Sequence, residues 1–190
     1  MIMTDEIRNK NYSLFLKKLQ ELDIDTSLLE ERLSTTLPTA TFTHSNENGL
    51  AYDGSLLHVV LRILTPYAVK LNNLLPEDIK LPQETIVKVC LLQHLAKAEF
   101  IIPNDNNWEV EKRGLLYKYA KSDVSLKLGM KSIILAQECG ISFTPHEIEA
   151  MIALDRDPSD EQARFFSSPL STIIRQANEL TFLTNRLIKN

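Results

Sequence analysis

Few side chains in this chain could do chemistry, and they are scattered along it. Of four histidines in 190 residues, His58 and His94 fall within apolar segments that read as helices. His44 lies in a polar loop and His146 in the first turn of a helix, so solvent is the natural surrounding of both. An imidazole can ligate a divalent cation, but a cation that lowers the pKa of bound water or polarises a phosphoryl oxygen must be held by several N or O donors. Two imidazoles do not make such a site, and Leu95, directly after His94, is hydrocarbon and cannot coordinate. Cys90 and Cys139 lack C-x-x-C spacing and read as buried reduced thiols. Ser167, Ser168 and Ser171 sit at a helix start, and neither a nucleophile elbow nor a phosphate loop occurs.

One charged stretch stands out. Lys112, Arg113, Lys118, Lys121, Lys127 and Lys131 face a single acid, Asp123, with Tyr117 and Tyr119 interleaved. Such a face could meet a nucleotide, a nucleic acid or an acidic protein, or could simply be solvated. Residues 155–161 carry the opposite sign, so head-to-tail self-association between the two patches is a further option.

The elements that must position these residues are helical throughout. Apolar residues recur at three-to-four-residue spacing over residues 5–22, and Ser27 with Glu30 fits a capping box for a short helix over 27–33. Residues 34–53, rich in Thr, Ser, Asn and Pro, read as a long loop or hinge. A helix apolar nearly all round follows over 53–71, with Pro66 placed to kink it. Further helices are predicted over 83–99, 112–120 and 123–138, the last stopping at Gly140. Thr144, Pro145 and Glu147 give a strong start signal for a helix running to about residue 154, before residues 155–161 break it. Ser168 and Pro169 open a final helix with Leu170, Ile173, Ile174, Ala177, Leu180, Leu183 and Leu187 on one stripe. No strand is demanded anywhere.

From Asp53 onward the order of these pieces resembles the HD superfamily of metal-dependent phosphohydrolases. Asp53-Gly54-Ser55-Leu56-Leu57-His58 resembles the family's first His helix, and Gln93-His94-Leu95 with Lys97 resembles its signature helix, where Asp normally follows the His. Leu128-Gly129-Met130-Lys131 and Gln176-Ala177-Asn178-Glu179 resemble later family elements that normally carry a His and an Asp. His58 and His94 therefore remain, whereas Leu95, Leu128, Leu154 and Asn178 stand where the resemblance implies ligands. It implies a vestigial metal site of His58, His94, Asn178 and Asp155, with Lys97 and Lys131 as candidates for holding phosphate or another anion. For His58 and His94 the competing reading is a pair of hydrogen-bonded core residues, and for Lys97 a snorkelling surface lysine.

With 44% hydrophobic and 24% charged residues, the composition is that of an ordinary globular chain long enough for one core. A net charge of -4 argues against a whole-surface nucleic-acid binder. No run approaches the roughly 20 apolar residues that span a bilayer, and no signal-peptide pattern opens the sequence. The expectation is an all-α, HD-domain-like helical bundle over residues 36–190 with an N-terminal helical extension over 1–35. Its expected role is a non-catalytic interaction or assembly module, cytoplasmic or carried in a phage virion, with a protein partner or a second copy and no cofactor. The alternative is a phosphohydrolase acting on nucleotides or phosphate esters through a rearranged site. In that case His58, His94 and Asp155 would hold Mn, Fe, Ni or Co, and Lys97 and Lys131 the phosphate. A pocket that binds a nucleotide without hydrolysing it lies between the two.

Overall fold

In the computed structural model, which describes residues 3–45, 49–155 and 168–188, the first predicted helix is α1 (Asp5–Gln20). The Thr4 hydroxyl caps it, Asp5 and Glu6 sit in its first turn and Lys17 and Lys18 in its last, the charge order that the helix dipole favours. Its inner stripe is Asn11, Phe15 and Leu19, while Ile7 turns to solvent. Helix α2 (Ser27–Leu33) follows. Its N-cap is Thr26, one residue before the expected box, with the Thr26 hydroxyl donating to the Glu30 carboxylate at 2.6 Å. Arg32 on α2 reaches Glu99 at 2.8 Å and also pairs with Glu138.

Residues 55–73 form one continuous helical run in three parts: α3 (Ser55–Val59), a π-helical turn (Val60–Leu64) and α4 (Thr65–Asn73). Pro66 was expected to kink a plain α-helix. A proline ring clashes with the carbonyl four residues back, here that of Arg62. The wider π turn covers that carbonyl, and Thr65 N–H bonds to Val60 O across it. Helix α5 (Gln83–Leu92) buries Ile86, Val89, Cys90, Leu91 and Leu92. It stops short of the expected residue 99: residues 93–96 are turns that lead into α6 (Lys97–Phe100).

Residues 112–120 are not a helix. The chain forms β1 (Ile101–Pro103), α7 (Asn107–Arg113) and β2 (Tyr117–Tyr119), the two strands pairing antiparallel with Ile102 opposite Lys118. Gly114, at φ 63°, ends α7 in the left-handed region and turns the chain back. Helix α8 (Leu128–Glu138) starts five residues later than expected and ends, as expected, ahead of Gly140 at φ 80°. Helix α9 (Pro145–Ile152) carries the full capping box between Thr144 and Glu147, then passes into a tight 3-10 turn (Ala153–Asp155). Helix α10 (Pro169–Ile188) lies along α4 and α9 and buries Leu170, Ile173, Ile174 and Ala177. On its stripe Leu183 is half exposed and Thr181 is buried instead; the Leu187 side chain lies outside the described residues.

Phe15, Leu19, Leu29 and Leu33, from the stretch expected to be an extension, belong to the same buried cluster as Leu57, Ile86, Leu92 and Ile174. At about 1.5–3 kcal/mol per fully buried large apolar side chain, this cluster supplies the main drive to fold. The architecture is all-α apart from the three-residue strand pair, and none of the described helices is long and apolar enough to cross a membrane.

Candidate functional site

The turns at residues 93–96 decide what becomes of His94 and Lys97. Here Leu95 N–H bonds to Leu92 O, Lys97 N–H to His94 O and Ala98 N–H to Leu95 O, all i to i+3. That tighter winding eclipses residues three apart, so His94 and Lys97 look the same way. Both look at Phe42.

Phe42 comes from the long polar loop and is fully buried. Ser55, at the start of α3, anchors that loop. Its hydroxyl donates to Leu50 O at 2.6 Å and accepts from Phe42 N–H at 2.8 Å, with Thr41 Oγ1 at 3.2 Å. The Phe42 ring meets the His94 ring edge-on with centroids 4.9 Å apart and touches Phe182 of α10 at 5.6 Å. The Lys97 Nζ donates to Phe42 O at 2.9 Å and lies 3.8 Å from the ring centroid, a hydrogen bond and a cation–π contact on one residue. Burial pushes the Lys97 ammonium down to about 7, with the charge of Asp155 working in the opposite direction.

Behind Phe42, His94 Nε2 and Asn178 Oδ1 are 2.9 Å apart. Asn178 Nδ2 donates to Ile174 O at 2.8 Å and to Gln93 Oε1 at 3.1 Å, so Oδ1 is the acceptor and His94 Nε2 carries the proton. Burial holds the His94 ring neutral, far below its ordinary range, and the nearby Lys97 charge acts in the same direction. Both N–H donors of the Asn178 amide are thereby used. Gln93 Nε2, also buried, has no partner.

The residues expected at a vestigial metal site are only partly brought together. His94 and Asn178 meet. His58, on α3, is half-buried, shares no hydrogen bond with His94 among the described residues, and is held below its ordinary range by burial and by Arg62. Leu95 is in the core at 1% exposure. Leu128 opens α8 half-buried, and the side chain of Leu154 lies outside the described residues. Asp155 is close enough to Lys97 for their charges to interact, but its hydrogen bonds go to α8: its Oδ2 accepts from Gly129 N–H at 2.7 Å and its carboxylate also from Met130 N–H, capping that helix. Desolvation raises its pKa while these bonds and the Lys127 charge oppose the rise. Among the described residues no three His, Cys, Asp or Glu side chains are grouped to hold a metal. With Nε2 of His94 protonated and donating to Asn178, Phe42 packed on the imidazole and no carboxylate beside them among the described residues, the donors here do not fit a divalent cation.

The basic run is also rearranged. Lys118 pairs with Asp105 across the turn between the two strands, and Arg113 with Glu109 at 3.7 Å one helical turn back on α7. Lys127 bonds Asp155 O, and Lys131 Nζ bonds Ser122 Oγ at 2.9 Å over the Phe100 ring. Lys112 and Lys121 remain exposed. The six cations thus do not form one unpaired face. The acidic stretch at 156–161 lies outside the described residues. Of the remaining histidines, His146 is exposed as expected, whereas His44 is half-buried with its ring 4.7 Å from that of Tyr119. Both cysteines are free and buried, the Cys90 thiol pushed up to about 12 by desolvation.

Phe42 is the residue that sequence reasoning missed. Its only signal was an aromatic side chain set between two threonines, Thr41 and Thr43, in a polar loop. No family model, no curated protein and no solved structure matches the chain.

Proposed function

We infer that this is a degenerate HD-like helical module that works by binding another protein or a second copy of itself and hydrolyses nothing. The observation that supports the reading is the plug: Phe42 is held by Lys97 and packed on His94, so both side chains that a metal and a phosphate would need are engaged with it. A neutral amide and a hydrocarbon in place of carboxylates cannot hold a cation firmly enough to activate water. The surface adds support. Trp108 at 61% exposure, Leu116 at 46% and Val124 at 56% project from the segment containing β1, α7 and β2, large apolar groups of the kind that protein contacts cover. Such a module would act in the cytoplasm, or in a virion if the chain is a phage component.

The reading is tested on protein purified without chelator. Phosphate release from nucleotides and from p-nitrophenyl phosphate is measured with added Mn, and light scattering follows molar mass over a range of concentrations. The expected result is no release above the protein-free control, and either a mass that grows with concentration or a partner that co-purifies. Metal-dependent phosphate release by a strict monomer would overturn it.

A further inference from the structure

Between the end of β2 and the first turns of α8 lies a cleft of about 360 Å³ walled by Phe100, Tyr119, Leu126 and Leu128. It shares no residue with the His94 and Asn178 cluster. Its size falls within the span of small-molecule sites, about 300–1,000 Å³. Three charged side chains also line it: Lys127, Lys131 and Asp155.

Among the described residues the two lysines, one helical turn apart, bond to neutral groups, Lys127 to the Asp155 backbone carbonyl and Lys131 to the Ser122 hydroxyl, with the Asp155 carboxylate as the charge near Lys127. By contrast, Lys118 and Arg113 nearby are both matched by carboxylates. Each ammonium has three donors, so further hydrogen bonds are open to both. The Asp155 carboxylate is turned to the first N–H groups of α8, which leaves that helix end nothing to offer a ligand and rests the attraction for an anion on the lysines. Two ammonium groups against one carboxylate leave the cleft one net positive charge. That balance suits a monoanion better than a phosphate dianion, and the walls suit a hydrocarbon or aromatic body.

We propose that the cleft binds a small monocarboxylate with an apolar or aromatic body, its carboxylate between Lys127 and Lys131 and its body against Phe100, Leu126 and Leu128. This goes beyond the assembly role and does not depend on it. The test is titration calorimetry on the full chain with phenylacetate, with uncharged phenylacetamide and with AMP as the phosphate-bearing comparison. Phenylacetate is expected to bind one per chain, and phenylacetamide and AMP at least tenfold more weakly. Lys131→Ala should weaken phenylacetate binding by a similar factor, and Leu128→Trp, which fills the cleft, should abolish it. The phenylacetamide comparison needs no variant and holds even if a substitution unfolds the chain. Absence of phenylacetate binding, equal binding of the amide, or tighter binding of AMP would overturn the proposal.

Discussion

Placing a carboxylate directly after His94, Leu95→Asp, tests whether a metal centre of the HD kind could form here. Leu95 is 1% exposed and packed in the main cluster. Removing it forfeits about 1.5–3 kcal/mol of apolar burial. Placing a carboxyl group there without a partner adds about 1–3 kcal/mol, because the adjacent imidazole already donates to Asn178. The expected loss is therefore about 3–6 kcal/mol, a large part of the roughly 5–15 kcal/mol that holds an ordinary domain together. Urea unfolding followed by far-UV circular dichroism measures it, with Leu95→Met as a volume-conserving control expected to cost less than about 1.5 kcal/mol. Added Mn should not rescue the variant. A metal binding at a hundred times its dissociation constant would return about 2.7 kcal/mol. The reasoning is refuted if Leu95→Asp unfolds within about 0.5 kcal/mol of the parent, or if Mn restores stability to the aspartate variant alone.

Three other outcomes are expected. Gly129→Ala would put a Cβ 2.5 Å from both Asp155 Oδ2 and Met151 O, so it should cost about 1–3 kcal/mol in urea unfolding, and a neutral result would remove Asp155 from the α8 cap. Phe42→Ala should lose about 3–5 kcal/mol, since the ring is fully buried between α10 and the 93–96 turns; a loss below about 1 kcal/mol would mean the loop is not a plug. Stability should rise with pH between about 7 and 10.5, the folded and unfolded values for Lys97, because over that window the unfolded chain holds a proton the folded one has shed. The cost of the buried ammonium is thus present in full below about 7 and gone above 10.5, on the order of 5 kcal/mol in all. His94, also held low by burial, adds a slope of the same sign as pH climbs toward its ordinary range. Lys97→Met should flatten the upper rise, and an unchanged slope would show that another group causes it.

Much of the helical frame was legible in the sequence because its signals are local. The Thr144 box, the Gly140 stop and the Pro169 start each depend on a few adjacent residues, and all three stand where expected. What the sequence hid depends on contacts made at a distance. Nothing at residues 93–96 is a Gly or Pro, so the break between α5 and α6 carried no local mark. The strands are three residues long, too short for an alternating pattern, although Gly114 did offer a stop that could have ended a helix before residue 120. The basic run looked unpaired because its acids lie before it in sequence: Glu109 meets Arg113 one turn along α7, a helix that the sequence pattern places later, and Asp105 meets Lys118 only through the strand pair. Within the candidate site, the contact of His94 with Asn178 joins positions 84 residues apart, and that of Phe42 joins the loop after α2 to the turns after α5; neither leaves a local mark in the sequence.

A neutral, buried imidazole bonded to Asn178 and covered by Phe42 is the core of this account, and His94 reports on it directly. Its nitrogen signals can be followed by long-range proton–nitrogen NMR through a pH titration and then with Mn added. The expected result is a neutral ring protonated at Nε2, with no titration near the ordinary value of about 6.5 and no broadening by the metal beyond that of surface histidines such as His146. A His94 ring that titrates normally, or whose signals vanish together with those of His58 when Mn is added, would contradict it.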